Sequence, residues 1–182
     1  MHLCVKLYAI MRKGEKMELP KRKRNRLKYH DYGAGGAYFI TICTKDRKNV
    51  FWENAHAIVG EDSILPQIRI PLSQYGKLAE DTIQAIPTHY HNVRVDRYVI
   101  MPNHIHLILF LPYRDGRMIS APTVSSIIGQ TKRYISKQIG KDIWQKSFHD
   151  HVIRGEADYE KIVRYICENP MRWESDCFYE KI

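Results

Sequence analysis

Read in order, the 182 residues give a strand, a helix, two strands, a helix, a strand and a closing helix. That order predicts an α/β (α+β) domain of the ferredoxin-like, split βαβ class, one antiparallel-containing sheet with helices packed on it. Three observations carry the prediction. Runs rich in β-branched and aromatic residues occur at 37–44, 93–100 and 104–111. Apolar residues recur at helical spacing after Ser73 and again from Val124 to Ile139. Pro87, Gly140 and Asn169-Pro170 supply breaks where those helices should stop.

The first strand is Ala37 to Thr44, entered through the turn Asp31-Tyr32-Gly33-Ala34-Gly35-Gly36. Residues 45–71 mix polar turns with short apolar pieces and read as hairpin or loop decoration. Ser73 is placed to cap a first helix with Leu78, Ala79, Thr82, Ile83 and Ile86 on its inner face. Val93 to Ile100 alternates as a strand. Met101-Pro102-Asn103 makes a turn, because proline lacks a ladder donor and asparagine accepts turn dihedrals. His104 to Leu111 returns as the antiparallel partner. After a loop with the Asp115-Gly116 turn signal comes the clearest helix, Ser125 to Ile139, with Val124, Ile128, Thr131, Ile135 and Ile139 as its inner stripe. Extended character follows in Phe148 to Arg154, and a third helix runs from about Asp158 to Glu168.

Length predicts one domain over 29–182, preceded by a basic arm over 1–28. The formal charge of +9 is concentrated in that arm. Its ten Lys/Arg residues, Lys21, Arg22, Lys23, Arg24, Arg26 and Lys28 among them, face only Glu15 and Glu18, so the body is nearly neutral. Arms of this kind bind nucleic acid phosphates, although a solvated tail or anionic-membrane contact has the same composition. Four cysteines without C-x-x-C spacing predict reduced thiols in a cytoplasmic protein. The patch Leu3 to Met11 is interrupted by Lys6 and makes a poor signal peptide, and no run approaches the ~20 apolar residues that span a bilayer.

The chemistry centres on Met101-Pro102-Asn103-His104-Ile105-His106. On a strand His104 and His106 share a face while Ile105, Leu107 and Leu109 share the other. Two imidazoles in that position either chelate one cation or sit as hydrogen-bonded core histidines. On the second helix, at about 100° per residue, Tyr134 falls about 90° from the centre of the apolar stripe. Gln138 is its i+4 neighbour on the same face. A tyrosine at such an edge is either a structural amphipath or a group reaching a cleft. Lys132, Arg133 and Lys137 form the basic outer face beside it. A second His-x-His, His149-Asp150-His151, reads as a sheet pair, a DNA contact or a rival metal site.

The sequence resembles the one-tyrosine HUH transposases, in particular their REP-associated branch. The resemblance rests on Gly-Ala-Tyr-Phe-Ile-Thr-Ile-Cys-Thr (36–44), Val-Ile-Met-Pro-Asn-His-Ile-His-Leu-Ile (99–108), the Tyr134 helix and Tyr-Ile-Cys-Glu-Asn-Pro-Met-Arg (165–172). It implies His104 and His106 as metal ligands, Gln138 as the third ligand and Tyr134 as the nucleophile. The implied cofactor is Mg²⁺ or Mn²⁺, although imidazole donors suit Zn or Mn better than Mg. The implied activity is cleavage and rejoining of single-stranded DNA, hairpin-bearing in this branch, through a 5′-phosphotyrosine, with Lys21 to Lys28, Lys132, Arg133 and Lys137 on the DNA. Family members are monomers or homodimers with shared sites. Two rivals fit the fold: a ferredoxin-like nucleic-acid-binding module, which needs no metal, and a metal-dependent phosphodiesterase, which needs no tyrosine.

Overall fold

The computed structural model describes residues 35–54, 58–59, 68–112 and 122–179. The basic arm with Lys21, Arg22, Lys23, Arg24, Arg26 and Lys28, the turn residues 31–34, and the Asp115-Gly116 turn lie outside the described residues. A four-stranded antiparallel sheet has the order β4-β5-β1-β6, from β1 (Gly36–Cys43), β4 (Arg94–Ile100), β5 (His104–Leu111) and β6 (His149–Val152). The predicted fold is the observed one: α1 links β1 to β4, and β5 inserts between them, which is the split βαβ arrangement. Within 45–71, β2 (Ile58–Val59) and β3 (Ile68–Arg69) form a separate two-residue antiparallel pairing.

Strand alternation sorts the sheet into two faces. Register pairs Ile42 with Ile105, Ile40 with Leu107 and Tyr38 with Leu109, and these six side chains are at most 1 % exposed. Burial on that scale stabilises by about 1.5–3 kcal/mol per large apolar side chain. Tyr98, opposite Leu107 on β4, hydrogen-bonds Glu80 and Gln84 of α1 (Gln74–Gln84), which places α1 over this face. α3 (Val124–Ile139) packs beside α1 and buries Val124, Ile127, Ile128, Thr131 and Ile135. The opposite face carries Phe39, Thr41, His106 and Ile108 and is covered by α4 (Glu156–Glu168), whose Tyr159 and Tyr165 rings meet Phe110 and Phe39.

Local chemistry explains the boundaries. The Ser73 hydroxyl caps α1 by accepting from the Gly76 N–H at 3.2 Å, as its position in the sequence predicts. Thr123 and Ser126 form a reciprocal capping box on α3, and Gly140, at φ 79°, ends it in the left-handed region. Two predicted stops work differently. Pro87 does not end a helix: α1 closes at Gln84 and Pro87 opens the short α2 (Ile86–His89), where its missing N–H costs nothing. Asn169-Pro170 continues α4 into a 3-10 segment, Asn169–Ser175, and so carries the chain back under the histidine face. Cys43 and Cys167 are free thiols, and burial pushes the Cys43 thiol up to about 11. Among the described residues no helix is long and apolar enough to cross a membrane.

Candidate active site

His104 and His106 occupy the start of β5, paired with Cys43 and Thr41 of β1, and both are at most 1 % exposed. The turn before them is held by main-chain bonds: Met101 N–H donates to the His104 carbonyl, and the N–H groups of Val50 and Phe51 both reach Pro102 O. The two Nε2 atoms face each other at 3.0 Å. Each Nδ1 has its own partner, Asn103 Oδ1 at 2.9 Å for His104 and Thr41 Oγ1 at 2.8 Å for His106. Burial, with His106 and Arg47 nearby, holds His104 well below its ordinary pKa, and burial pushes His106 down to about 3. Both rings are therefore neutral near pH 7, the state in which imidazole is a ligand.

Tyr165, on α4, brings its hydroxyl to 3.3 Å from His106 Nε2 and 3.5 Å from Asp176 Oδ2. Its ring stacks edgewise on His106 and Phe39, yet the residue stays 40 % exposed, so a substrate can reach it. Asp176 follows the 3-10 segment and is braced by the Phe178 N–H donating to Oδ1 at 2.7 Å. Phe178 and Trp173 close the far side of His104. Ligating atoms of His104, His106 and Asp176 all lie within 4.8 Å of one another. Two nitrogens about 2.1 Å from one cation at a right angle stand about 3.0 Å apart, which matches the facing Nε2 pair. Two imidazoles and a carboxylate are a donor set for a divalent transition metal. The residues present fit the ion.

The structure separates the residues that the sequence expectation joined. Tyr134 is 51 % exposed and lines a cleft of about 700 Å³ with Asp81, His89, Tyr90 and Gln130, on the α1–α3 side of the sheet. Gln138, one turn on, is exposed. The sheet lies between this helix and the histidines, so neither the nucleophile nor the third ligand expected from α3 reaches His104 and His106 within the chain. The groups that stand beside the histidine pair are Tyr165 and Asp176. Lys132 is also reassigned: its amine donates to the carbonyls of Gln145 and Ser147, bracing the approach to β6 and leaving little for a phosphate. Arg133 and Lys137 are exposed. His149 and His151 are exposed on β6, His151 pairs with Asp158 at 2.8 Å, and among the described residues this second His-x-His forms no group of three metal-ligating side chains.

Tyr165 carries a signal in the sequence, since it opens the Tyr-Ile-Cys-Glu-Asn-Pro-Met-Arg segment and lies off the stripe of Ile162 and Ile166. Asp176, in a short polar stretch with no periodicity, carries none. No known family profile matches the chain. It is 30 % identical over 178 residues to an uncharacterized protein of Haemophilus influenzae, covering 87 % of this chain and 93 % of that protein. It is 26 % identical over 142 residues to the REP-associated tyrosine transposase of Escherichia coli K12, covering 78 % of this chain and 70 % of the relative. A solved structure of a REP-associated tyrosine transposase bound to a REP hairpin matches with a TM-score of 0.58 at 23 % identity, over 81 % of this chain and 74 % of that one, a likeness of fold.

Proposed function

We propose that the chain is a tyrosine transposase like the REP-associated relatives it resembles, and that it cleaves and rejoins single-stranded DNA as a one-tyrosine HUH enzyme with Tyr165 as nucleophile. The observation that carries the reading is the Tyr165 hydroxyl, 3.3 Å from His106 Nε2 and beside Asp176, at the open edge of a buried histidine pair. His104, His106 and Asp176 would hold a divalent ion, Mn²⁺ or Mg²⁺. Such an ion, when bound, polarises a scissile phosphate and steadies the leaving 3′ oxygen. The Tyr165 oxygen attacks phosphorus, its proton leaves toward solvent or the Asp176 carboxylate, and the P–O bond to the 3′ oxygen breaks. The products are a 5′-phosphotyrosine and a free 3′-OH. Attack by a 3′-OH reverses the step, so rejoining needs no nucleotide cofactor.

Single-stranded, hairpin-bearing DNA as substrate rests on the family and on the arm of residues 1–28, whose lysines and arginines suit phosphates. Arg133 and Lys137 add exposed positive charge on α3. The test incubates the protein with a labelled hairpin oligonucleotide and Mn²⁺, followed by a denaturing gel. A protein-linked label is expected in the wild type and in Tyr134→Phe, and none in Tyr165→Phe. An adduct that survives Tyr165→Phe but disappears in Tyr134→Phe would overturn the assignment and return the nucleophile to α3. Asp176→Asn is expected to lower metal affinity by about tenfold or more, measured by calorimetric titration with Mn²⁺.

A further inference from the structure

The hydrogen bonds around the histidine pair determine more than its orientation. Asn103 is buried, 1 % exposed, and its amide nitrogen donates to the carbonyls of Arg47 at 3.1 Å and Phe178 at 2.8 Å. Carbonyls only accept, so the –NH₂ must face them and Oδ1 must face His104. His104 Nδ1 is 2.9 Å from that oxygen and has to donate, which leaves its Nε2 without hydrogen. A second bare Nε2 on His106, 3.0 Å away, would set two lone pairs against each other. His106 must therefore carry its hydrogen on Nε2 and donate it to His104. Its Nδ1 then accepts from Thr41 Oγ1, 2.8 Å away, and the Tyr165 hydroxyl turns its own hydrogen to Asp176.

From this geometry we infer that Asn103 is a tautomer lock and Thr41 a tautomer switch, two positioning residues that keep the empty pair hydrogen-bonded and let a cation in. When an ion takes both Nε2 atoms, the hydrogen on His106 Nε2 leaves to solvent and one is taken up at Nδ1. Ring charge and proton count are unchanged. Thr41 reverses its hydroxyl from donor to acceptor, which an alcohol can do and an amide N–H or a carbonyl cannot. His104 needs no change, because Asn103 holds it in the ligating tautomer throughout. The Asn103 amide also ties the β4–β5 turn to the 45–47 turn and to the chain after Asp176, so the element carrying the third donor is positioned by the same side chain.

The inference rests on His104 and His106 being ligands, and the experiment separates the two ideas. Histidine ¹⁵N chemical shifts are measured on the full chain without metal and then with Zn²⁺, a diamagnetic probe. The metal-free protein is expected to show His104 protonated at Nδ1 and His106 at Nε2, and the Zn²⁺ form both at Nδ1. Thr41→Val should weaken Zn²⁺ binding by about tenfold and Thr41→Ser should restore it, with Asn103→Leu costing about ten- to a hundredfold. His104 protonated at Nε2, His106 already at Nδ1 without metal, or Thr41→Val binding Zn²⁺ like the wild type would each overturn the inference. The expected metal-free tautomers with no Zn²⁺ bound would instead overturn the metal site, and the switch with it, while leaving the Asn103 lock. Should Asn103→Leu fail to fold, the wild-type spectra and the Thr41 pair decide the matter.

Discussion

At the residue scale, two tyrosines with similar sequence credentials are separated by what surrounds their hydroxyls. Tyr134 opens to a cleft between helices, while Tyr165 meets a neutral imidazole and a carboxylate. The neutrality of the imidazoles has a consequence for stability. Above pH 6.5 His106 is neutral in both the folded and the unfolded chain, so it adds no pH dependence there. Between 6.5 and about 3 the unfolded chain binds a proton that the folded one does not, so stability falls as the medium becomes more acidic. His104, depressed in the same direction, adds to the fall. Urea unfolding from pH 7.5 to 4.5 should show up to about 1.4 kcal/mol lost per pH unit for each histidine, beyond the carboxylate contribution. His106→Asn should lose part of that slope, and an unchanged slope would mean the ring already carries its proton in the folded protein.

At the element scale, the polar face of the sheet depends on how tightly the elements around its edge approach. Gly76, in the first turn of α1, has no room for a side chain: a Cβ there would sit 2.2 Å from the Phe51 carbonyl oxygen and 3.1 Å from Leu72. The segment 50–54 that it touches also holds Trp52, whose indole N–H donates to Ile100 O just before the Pro102-Asn103 turn. Gly76→Ala should therefore lower the thermal midpoint, by a destabilisation of about 1–3 kcal/mol. A midpoint equal to the wild type would show that α1 can shift without cost. The helical spacing in the sequence foretold α1, α3 and α4, because propensity, caps and the apolar stripe act locally. It did not foretell that Asn169-Pro170 would continue as 3-10 helix, since only packing of Trp173 against Trp52 and His104 decides that turn.

At the scale of the whole molecule, one sheet divides the chain into an apolar side, under α1 and α3, and a side that carries the histidine pair, under α4 and the segment that follows it. The net charge is divided too, with most of the surplus in residues 1–28. Removing those residues should weaken binding to a hairpin oligonucleotide and flatten its dependence on salt concentration. Binding that keeps the full salt slope after the truncation would place the phosphate contacts on the folded domain, with Arg133 and Lys137 the first residues to test.

The sequence by itself determined the elements, their order and the His104–His106 pair, because strand alternation and helical period are local properties that leave a pattern along the chain. It also placed the chain's basicity in one arm. Only the tertiary structure decided which tyrosine and which third donor join the histidines. Tyr134 and Tyr165 are both helical residues set off an apolar stripe, and no local rule says which side of a sheet a helix will cover. That choice follows from chain connectivity and from the matching of Phe39 to Tyr165, 126 positions on, and of Phe110 to Tyr159, 49 positions on. Asp176 reaches the site for the same reason: the 3-10 segment and the Asn103 amide bring a stretch without any pattern of its own beside the two imidazoles.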